Sequence, residues 1–229
     1  SFYRLIPKIV IKTDNAKEVQ DIIELSNSMN LSITFRAAGT SLSGQAISDS
    51  ILIVTSRNFS NFKIAPDASF ISLQPALTGA QVNGLLAKYS KKIGPDPASI
   101  NAAMIGGIAA NNASGMCCGI SQNSYKTLKS MKLIFADGAK LDTGCQESKD
   151  AFRKTHGDFL KELKNFSNDT KNNEELRAKI ERKFKIKNTC GYSLNALIDF
   201  EDEFEILEHL IIGSEGTLAF IEEITYYTV

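Results

Sequence analysis

The stretch Arg36-Ala37-Ala38-Gly39-Thr40-Ser41-Leu42-Ser43-Gly44 follows a short β-like run over residues 31–35. Most of its side chains are small, so its backbone N–H groups can approach another molecule closely. Successive N–H groups in a tight turn form a concave anion site, to which the hydroxyls of Thr40, Ser41 and Ser43 can add donors. The stretch therefore predicts either a loop that holds a phosphate or pyrophosphate, or an ordinary turn that binds nothing.

Two common nucleotide motifs are disfavoured by the neighbouring residues. Gly39 and Gly44 have the glycine spacing of a P-loop, but Gln45-Ala46 follows instead of Lys-Ser or Lys-Thr. The lysine that reaches the outer phosphates and the hydroxyl that holds Mg²⁺ are therefore both missing. Gly106-Gly107 lacks the third spaced glycine of a Rossmann dinucleotide fingerprint.

Composition places the chain among globular proteins and excludes several classes of partner. The 229 residues include 26 Lys plus Arg and 26 Asp plus Glu, so no basic excess supports nucleic-acid binding. No apolar run is long enough to span a bilayer, and no signal-peptide pattern is visible. The first and last residues suggest a fragment of a larger protein, with a substrate domain expected after residue 229.

The cysteines and histidines do not form a recognisable metal motif. We expect reduced thiols in a cytoplasmic protein, because no Cys-x-x-Cys pair occurs among Cys117, Cys118, Cys145 and Cys190. His156 and His209 have no companions at metal-ligand spacing, which favours a surface or packed histidine at each position. For His209 a place near a cofactor stays open.

The first part of the chain, residues 1–57, predicts a small parallel sheet. Asn15 and Glu18 have capping-box spacing at the start of an amphipathic helix that extends to Asn30. Apolar runs at residues 8–11, 32–36 and 50–55 predict the strands. This order is a β-α-β unit plus one strand.

The second part, residues 58–229, mixes strands and helices without strict alternation, which is typical of α+β proteins. The predicted elements are a hairpin over 62–74, a helix over 79–92, a small-residue stretch over 99–113 in which a helix would allow close contact, a hairpin over 129–143 across Asp137-Gly138, a charged helical insertion near 145–187 with a turn at 168–173, short helices over 193–200 and 204–212, and a β-run over 217–229. We expect an α+β fold of two subdomains, a small parallel one and a larger, mainly antiparallel sheet flanked by helices.

Three further glycine motifs follow the first loop in a fixed order. They are Gly94-Pro-Asp-Pro-Ala-Ser-Ile-Asn-Ala-Ala-Met-Ile-Gly-Gly-Ile-Ala-Ala-Asn-Asn-Ala-Ser-Gly115, Lys187-Asn-Thr-Cys-Gly-Tyr192 and Gly213-Ser-Glu-Gly-Thr-Leu218. Together the motifs resemble the PCMH-type FAD-binding domain of the vanillyl-alcohol oxidase and p-cresol methylhydroxylase superfamily. Within that group the chain is most similar to D-lactate dehydrogenases and glycolate oxidase flavin subunits, and residues 35–45 and 94–103 resemble long bacterial forms with an iron–sulfur domain.

The resemblance implies a role in holding FAD for three of the four motifs. The first loop should wrap the pyrophosphate, the second motif should line the flavin, the ribityl chain and the dinucleotide, and the last motif should contact or support the adenine end. The implied cofactor-binding residues are Arg36, Ala37, Ala38, Gly39, Thr40, Ser41, Gly44, Gln45, Asp96, Pro97, Ser99, Gly106, Gly107, Ala110, Asn111, Ser114, Gly115, Gly119, Ser121, Glu215, Gly216 and Ile221.

The resemblance also implies an activity for the intact protein. It would oxidise a small D-2-hydroxy acid, of the D-lactate or glycolate type, by hydride transfer to the flavin, and pass electrons to a quinone or an iron–sulfur carrier. An iron–sulfur cluster would belong to the full-length protein and not to this chain, to which no catalytic residue is assigned. We expect a cytoplasmic protein that could lie at the inner face of the membrane. The alternatives are another oxidoreductase on the same fold, such as one like alkyl-glycerone-phosphate synthase, and a degenerate flavin module without redox activity.

Thr40 predicts that FAD is held without a covalent bond. Some members of the superfamily attach FAD through a histidine that follows the loop glycine, and Thr40 occupies that position here. Cys117 and Cys118 are alternative attachment points, although free cysteines that are simply packed are much commoner.

Overall fold

Two β-sheets and the helices around them make up the structure, a computed structural model that describes residues 3–189 and 191–229. Ser1, Phe2 and Cys190 lie outside the described residues, and with them parts of the predicted N-terminal apolar run and of the motif at residues 187–192. The elements in chain order are β1 (Ile9–Thr13), α1 (Ala16–Ser28), β2 (Ile33–Arg36), β3 (Ile51–Thr55), β4 (Phe62–Ile64), β5 (Phe70–Leu73), α2 (Gly79–Leu86), α3 (Ile105–Ala110), α4 (Ser124–Thr127), β6 (Leu128–Phe135), β7 (Lys140–Asp142), α5 (Gln146–Asn172), α6 (Glu174–Phe184), α7 (Ala196–Asp199), α8 (Glu203–Ile211) and β8 (Ala219–Tyr227).

The small sheet is parallel and confirms the predicted β-α-β unit. Its strand order is β1-β3-β2, so β3, the last of its three strands in sequence, lies at the centre. The Asn15 side chain accepts the Glu18 N–H, and the Glu18 carboxylate accepts the Asp14 N–H. The bond to Asn15 satisfies a donor that the first turn of α1 leaves free, and the bond from Asp14 holds the residue that precedes the cap.

The large sheet is antiparallel, with strand order β4-β5-β8-β6-β7. Both predicted hairpins are present, β4 with β5 and β6 with β7. The final strand β8 lies between them, paired with β5 and β6. The predicted fold class of a small parallel and a larger antiparallel sheet is therefore confirmed, while the exact boundary at residue 57 stays a prediction.

One predicted helix is shorter in the structure, and the small-residue stretch is helical over only part of its length. The helix predicted to reach residue 92 ends as α2 at Leu86, and a 3₁₀ turn then leads to Ser90 in the left-handed conformation. In the small-residue stretch only Ile105–Ala110 is helical. The N–H groups of Ile105 and Gly106 are bound by the carbonyls of Leu77 and Pro75, so the preceding residues cannot extend the helix.

The charged segment after β7 forms two long helices that share part of the main core. The two predicted helices are present, but the turn predicted at residues 168–173 is confined to Asn173, because α5 continues to Asn172. The Asn173 side chain caps α6 by accepting the Leu176 N–H. Phe152 and Leu160 of α5 are buried in the core of the large sheet. Whether this segment is an insertion stays a prediction.

A second, smaller core joins α1 to the large sheet. Its buried residues come from α1, from the segments beside β4 and α2, and from β6 and β8: Val19, Ile23, Phe59, Ala76, Ile134 and Phe220. The Phe220 ring lies 5.0 Å from the Phe35 ring and 5.9 Å from the Phe59 ring, measured between centroids. Aromatic packing therefore fixes the position of the small sheet against the large one.

His209 is a packed residue, as one of the readings of the sequence predicted. It is buried between Tyr125 and Phe200, and its Nδ1 lies 2.8 Å from the Glu205 carbonyl oxygen. Burial lowers the pKa of His209 to about 4, so the ring is neutral near pH 7.

Among the described residues, no helix is long and apolar enough to cross a membrane.

Glu208, next to His209, should make the stability of the protein depend on pH. Burial raises its pKa to about 7, and its Oε2 has no hydrogen-bond partner among the described residues. A carboxyl with a raised pKa favours folding below its unfolded value of 4.5, and that advantage is lost as the pH rises through 7. We expect Glu208→Gln to raise the free energy of unfolding at pH 8 by about 3 kcal/mol and to change it little at pH 4. Denaturant titrations at both pH values measure this, with the exposed Glu162→Gln as the control; an equal effect at both pH values would contradict it.

Candidate functional site

The glycine loop leaves β2 with its backbone donors unused. Gly39 has φ of +69°, in the left-handed region that glycine adopts without strain. The N–H groups of residues 38–42 donate to no acceptor within the part of the chain that the structure describes. The Ser41 hydroxyl donates to Gln45 Oε1, which holds the loop closed on itself. Such a run of free N–H groups is suited to an anion.

The loop forms one wall of a cleft of about 610 Å³. The other walls come from the second, third and last glycine motifs, so the tertiary fold brings all four motifs together. The predicted residues that line this cleft are Ala37, Ala38, Gly39, Thr40, Ser41, Gln45, Pro97, Ser99, Gly107, Ala110, Asn111, Ser114 and Glu215.

Glu215 connects three of the motifs. Its Oε1 accepts hydrogen bonds from Asn111 Nδ2 at 2.5 Å and from Gln45 Nε2 at 3.4 Å. Its backbone has φ of +56°, an uncommon conformation for a residue with a side chain. Burial raises the pKa of Glu215, against the opposing effect of the bonds from Asn111 and Gln45. The carboxyl is thus held in place at one end of the cleft.

The remaining predicted residues lie beside the cleft. Arg36, Gly106, Gly216 and Ile221 line a small adjoining cavity of about 70 Å³. Five others line neither cavity, namely Gly44, Asp96, Gly115, Gly119 and Ser121. A direct contact of these five with a cofactor stays a prediction.

Asp96 supports the loop that carries the second motif. Its Oδ1 accepts the N–H groups of Gly115 at 2.8 Å and of Cys118 at 3.2 Å. Burial raises the pKa of Asp96, but the hydrogen bonds from Cys118 and Gly115 outweigh that effect and hold it below its usual value. Gly115 has no room for a side chain, because an added Cβ would lie 2.0 Å from the Asp96 carbonyl oxygen.

Some lining residues were missing from the predicted site. Thr189, Gly191 and Lys187 also line the cleft, and Lys187 Nζ donates to the Ser114 carbonyl oxygen. Their signal in the sequence was the third motif, residues 187–192, which was recognised as a motif but assigned no role. The apolar residue Met104 and the loop residues Leu42 and Ser43 lie there as well.

Cys117, Cys118, Cys145 and both histidines lie outside the lining of the cleft. Cys117 is exposed, while Cys118 is buried and burial raises the pKa of its thiol. His156 Nε2 lies 2.8 Å from Asp137 Oδ2, and its ring stacks on Phe152. No group of three or more His, Cys, Asp or Glu residues suited to a metal was found among the described residues.

Comparison with known proteins identifies the family. The sequence model of the family described as "FAD binding domain" matches residues 7–144, which is more than half of the chain. The chain belongs to the FAD binding domain family. This match spans the glycine loop and the second motif, whose free N–H groups and small side chains line the cleft.

Relatives of this FAD binding domain include several oxidoreductases of 2-hydroxy acids. The chain is 26% identical to D-2-hydroxyglutarate dehydrogenase of Haemophilus influenzae over 97% of its own length and 22% of the relative. It is 24% identical to D-lactate dehydrogenase of Archaeoglobus fulgidus over 95% of its length and 38% of the relative. It is 28% identical to glycolate oxidase subunit GlcD of Escherichia coli over 63% of its length and 29% of the relative. The chain therefore spans well under half of these proteins.

Solved structures share the fold at lower identity. Alkyldihydroxyacetonephosphate synthase superposes with a TM-score of 0.60 at 17% identity, over 96% of this chain and 31% of that one. The 6-hydroxy-D-nicotine oxidase of Arthrobacter nicotinovorans superposes with a TM-score of 0.63 at 12% identity, over 99% and 37%. These similarities concern the architecture alone.

The residues of the cleft fit the FAD that the family implies. Unused N–H donors at residues 38–42 and the hydroxyls of Thr40 and Ser43 suit a pyrophosphate, and the small residues Gly107 and Ala110 leave space for a flat ring system. The cleft volume of about 610 Å³ lies within the usual range for cofactor sites.

Proposed function

We propose that this chain holds FAD non-covalently in the cleft, as part of an FAD-linked oxidoreductase that oxidises a small D-2-hydroxy acid. The observation that supports it most is the row of unused backbone N–H groups at residues 38–42, which faces a cleft lined by all four glycine motifs. The relatives supply the substrate class, since their names specify D-2-hydroxyglutarate, D-lactate and glycolate.

The two ends of the cleft suggest the orientation of the cofactor. One end lies at Gln45 and Glu215, next to a second cavity between the sheets that is lined by Phe35 and Phe220. We take Ser99 and Lys187, which line the same cleft and are both exposed, as the other end. A reacting ring has to be reached by substrate, so we place the flavin at the exposed end and the adenine at the end between the sheets.

In this arrangement the residues of the chain bind and orient. FAD, when bound, supplies a ring that accepts a hydride from the hydroxyl-bearing carbon of the substrate. The glycine loop would neutralise the pyrophosphate through its N–H groups, and Glu215 would keep Asn111 and Gln45 in place at the opposite end. We assign no catalytic residue to this chain and expect substrate recognition in other parts of a longer protein.

Several finer predictions from the sequence belong to this proposal. Electrons would pass to a quinone or an iron–sulfur carrier, and an iron–sulfur cluster would be held outside this chain. A cytoplasmic location with peripheral contact at the inner membrane face stays a prediction as well.

FAD binding and its non-covalent character are tested on one sample. We expect purified protein to be yellow, or to become so with added FAD, and to unfold at a higher temperature with FAD, because a ligand of the folded state stabilises it. Acid precipitation should then release all of the flavin, since Thr40 replaces the attaching histidine. Colour that stays on the polypeptide would contradict non-covalent binding. Colourless protein that gains no stability from FAD would favour a degenerate module.

The substrate class is tested by reduction of the bound flavin. Protein from the complete gene is mixed without oxygen with D-lactate, glycolate or D-2-hydroxyglutarate, and the flavin absorbance is followed, with L-lactate as the control. Bleaching by at least one of these three acids, and not by L-lactate, is the expected result. Bound FAD that none of them reduces would favour a different oxidoreductase on the same fold.

A further inference from the structure

Lys187 brings a positive charge to the exposed end of the cleft. Its ammonium donates to the carbonyl oxygen of Ser114, which connects the loop after α6 to the loop after α3. An ammonium has three N–H donors, so two remain for another acceptor. Among the described residues Lys187 takes part in no ion pair, so no carboxylate oxygen lies within 4 Å of its ammonium.

The charges that line the cleft are few. Among the described lining residues the ionisable side chains are those of Lys187 and Glu215. Glu215 accepts hydrogen bonds from Asn111 and Gln45 and forms no ion pair with Lys187. The Lys187 charge is therefore not neutralised by an acid of the cleft. A cation that lines a cofactor site and has no ion-pair partner is suited to an anionic part of the cofactor.

We propose that Lys187 acts on the flavin ring and stabilises its reduced form by charge. This inference rests on the proposed function, and in particular on the flavin lying at the exposed end. Two electrons and one proton leave the substrate carbon as a hydride, and the hydroxyl proton is lost to solvent. The neutral oxidised ring that takes up this hydride gains one negative charge. A nearby ammonium would stabilise that charge and favour reduction. Charged protein groups near a flavin ring change its reduction potential in this way.

The test compares charge variants at position 187. Lys187→Met removes the charge and keeps much of the side-chain length, while Lys187→Arg keeps the charge. Exposed Lys185→Met is the matched control, because Lys185 is two residues away and does not line the cleft. The readout is the reduction potential of the bound flavin, measured by equilibration with a reference dye, together with the FAD dissociation constant.

We expect Lys187→Met to lower the affinity for reduced FAD relative to oxidised FAD about tenfold. For a two-electron couple this lowers the reduction potential by about 30 mV. Lys187→Arg and Lys185→Met should leave the potential near that of the wild type. An unchanged potential in Lys187→Met, or an equal fall in Lys185→Met or Lys187→Arg, would overturn the inference although FAD still binds. Wild-type protein that binds no FAD would instead overturn the proposed function, and this inference with it.

Discussion

Replacing Gly39 with aspartate should abolish FAD binding. Gly39 lies within the run of free N–H groups, where the pyrophosphate would accept its hydrogen bonds. A carboxylate at that point would take these donors and repel the phosphates, and like charges brought together cost several kcal/mol. We expect the affinity for FAD to fall by about 100-fold or more, since each factor of ten is 1.4 kcal/mol. Titration of the apoprotein with FAD, followed by quenching of flavin fluorescence, gives the dissociation constant.

Gly39→Asn is the matched control for this variant. Its side chain has the size of aspartate without the charge, and asparagine tolerates the left-handed conformation that φ of +69° requires. Both side chains would meet Arg36, whose Nε lies 2.4 Å from the position of an added Cβ. The asparagine variant should therefore lose part of the affinity and the aspartate variant nearly all of it. If Gly39→Asp binds FAD as the wild type does, the pyrophosphate does not lie at this loop.

Replacing Phe220 with alanine should be the most destabilising of the changes considered. The ring is 5% exposed and lies between Phe35 of the small sheet and Phe59 beside the large one. Truncation of a buried phenylalanine leaves a cavity and costs about 3–5 kcal/mol. We expect a loss of this size in the free energy of unfolding, measured by denaturant titration of the protein without FAD.

Phe62→Ala provides the comparison. Phe62 belongs to the outer strand β4 of the same sheet and is 47% exposed, so its loss should cost less than about 1 kcal/mol. Phe220→Leu, which fills much of the same space, should recover part of the stability. Equal losses for Phe220→Ala and Phe62→Ala would show that the contact between the sheets contributes little.

Local features of the fold could be predicted because they depend on residues close together in the chain. Asp137-Gly138 predicted the β6–β7 hairpin, and Asn15 with Glu18 predicted the start of α1. The helix ends were less predictable, because tertiary contacts decided them. Distant carbonyls at Leu77 and Pro75 bind the N–H groups at the start of α3 and restrict its length.

The candidate site, too, could be predicted from the sequence only in part. The glycine motifs and their order indicated an FAD site, and most of the predicted residues do line one cleft. That Asp96 lies near the flavin stays a prediction, and the structure adds that its carboxylate accepts the backbone N–H groups of Gly115 and Cys118. Lys187 was missed as a site residue, since nothing in its immediate neighbours shows that it reaches Ser114.

The sequence by itself indicated the cofactor family, through the resemblance of its ordered glycine motifs to a known family, and the fold class, through the patterns of its strands and helices, because both can be read within short segments. Only the tertiary structure decided which charges face the cleft. Glu215 meets Gln45 and Asn111 across 170 and 104 positions of the chain, and Lys187 meets Ser114 across 73. Contacts over such separations depend on how the two sheets pack together, and no local pattern of residues encodes them.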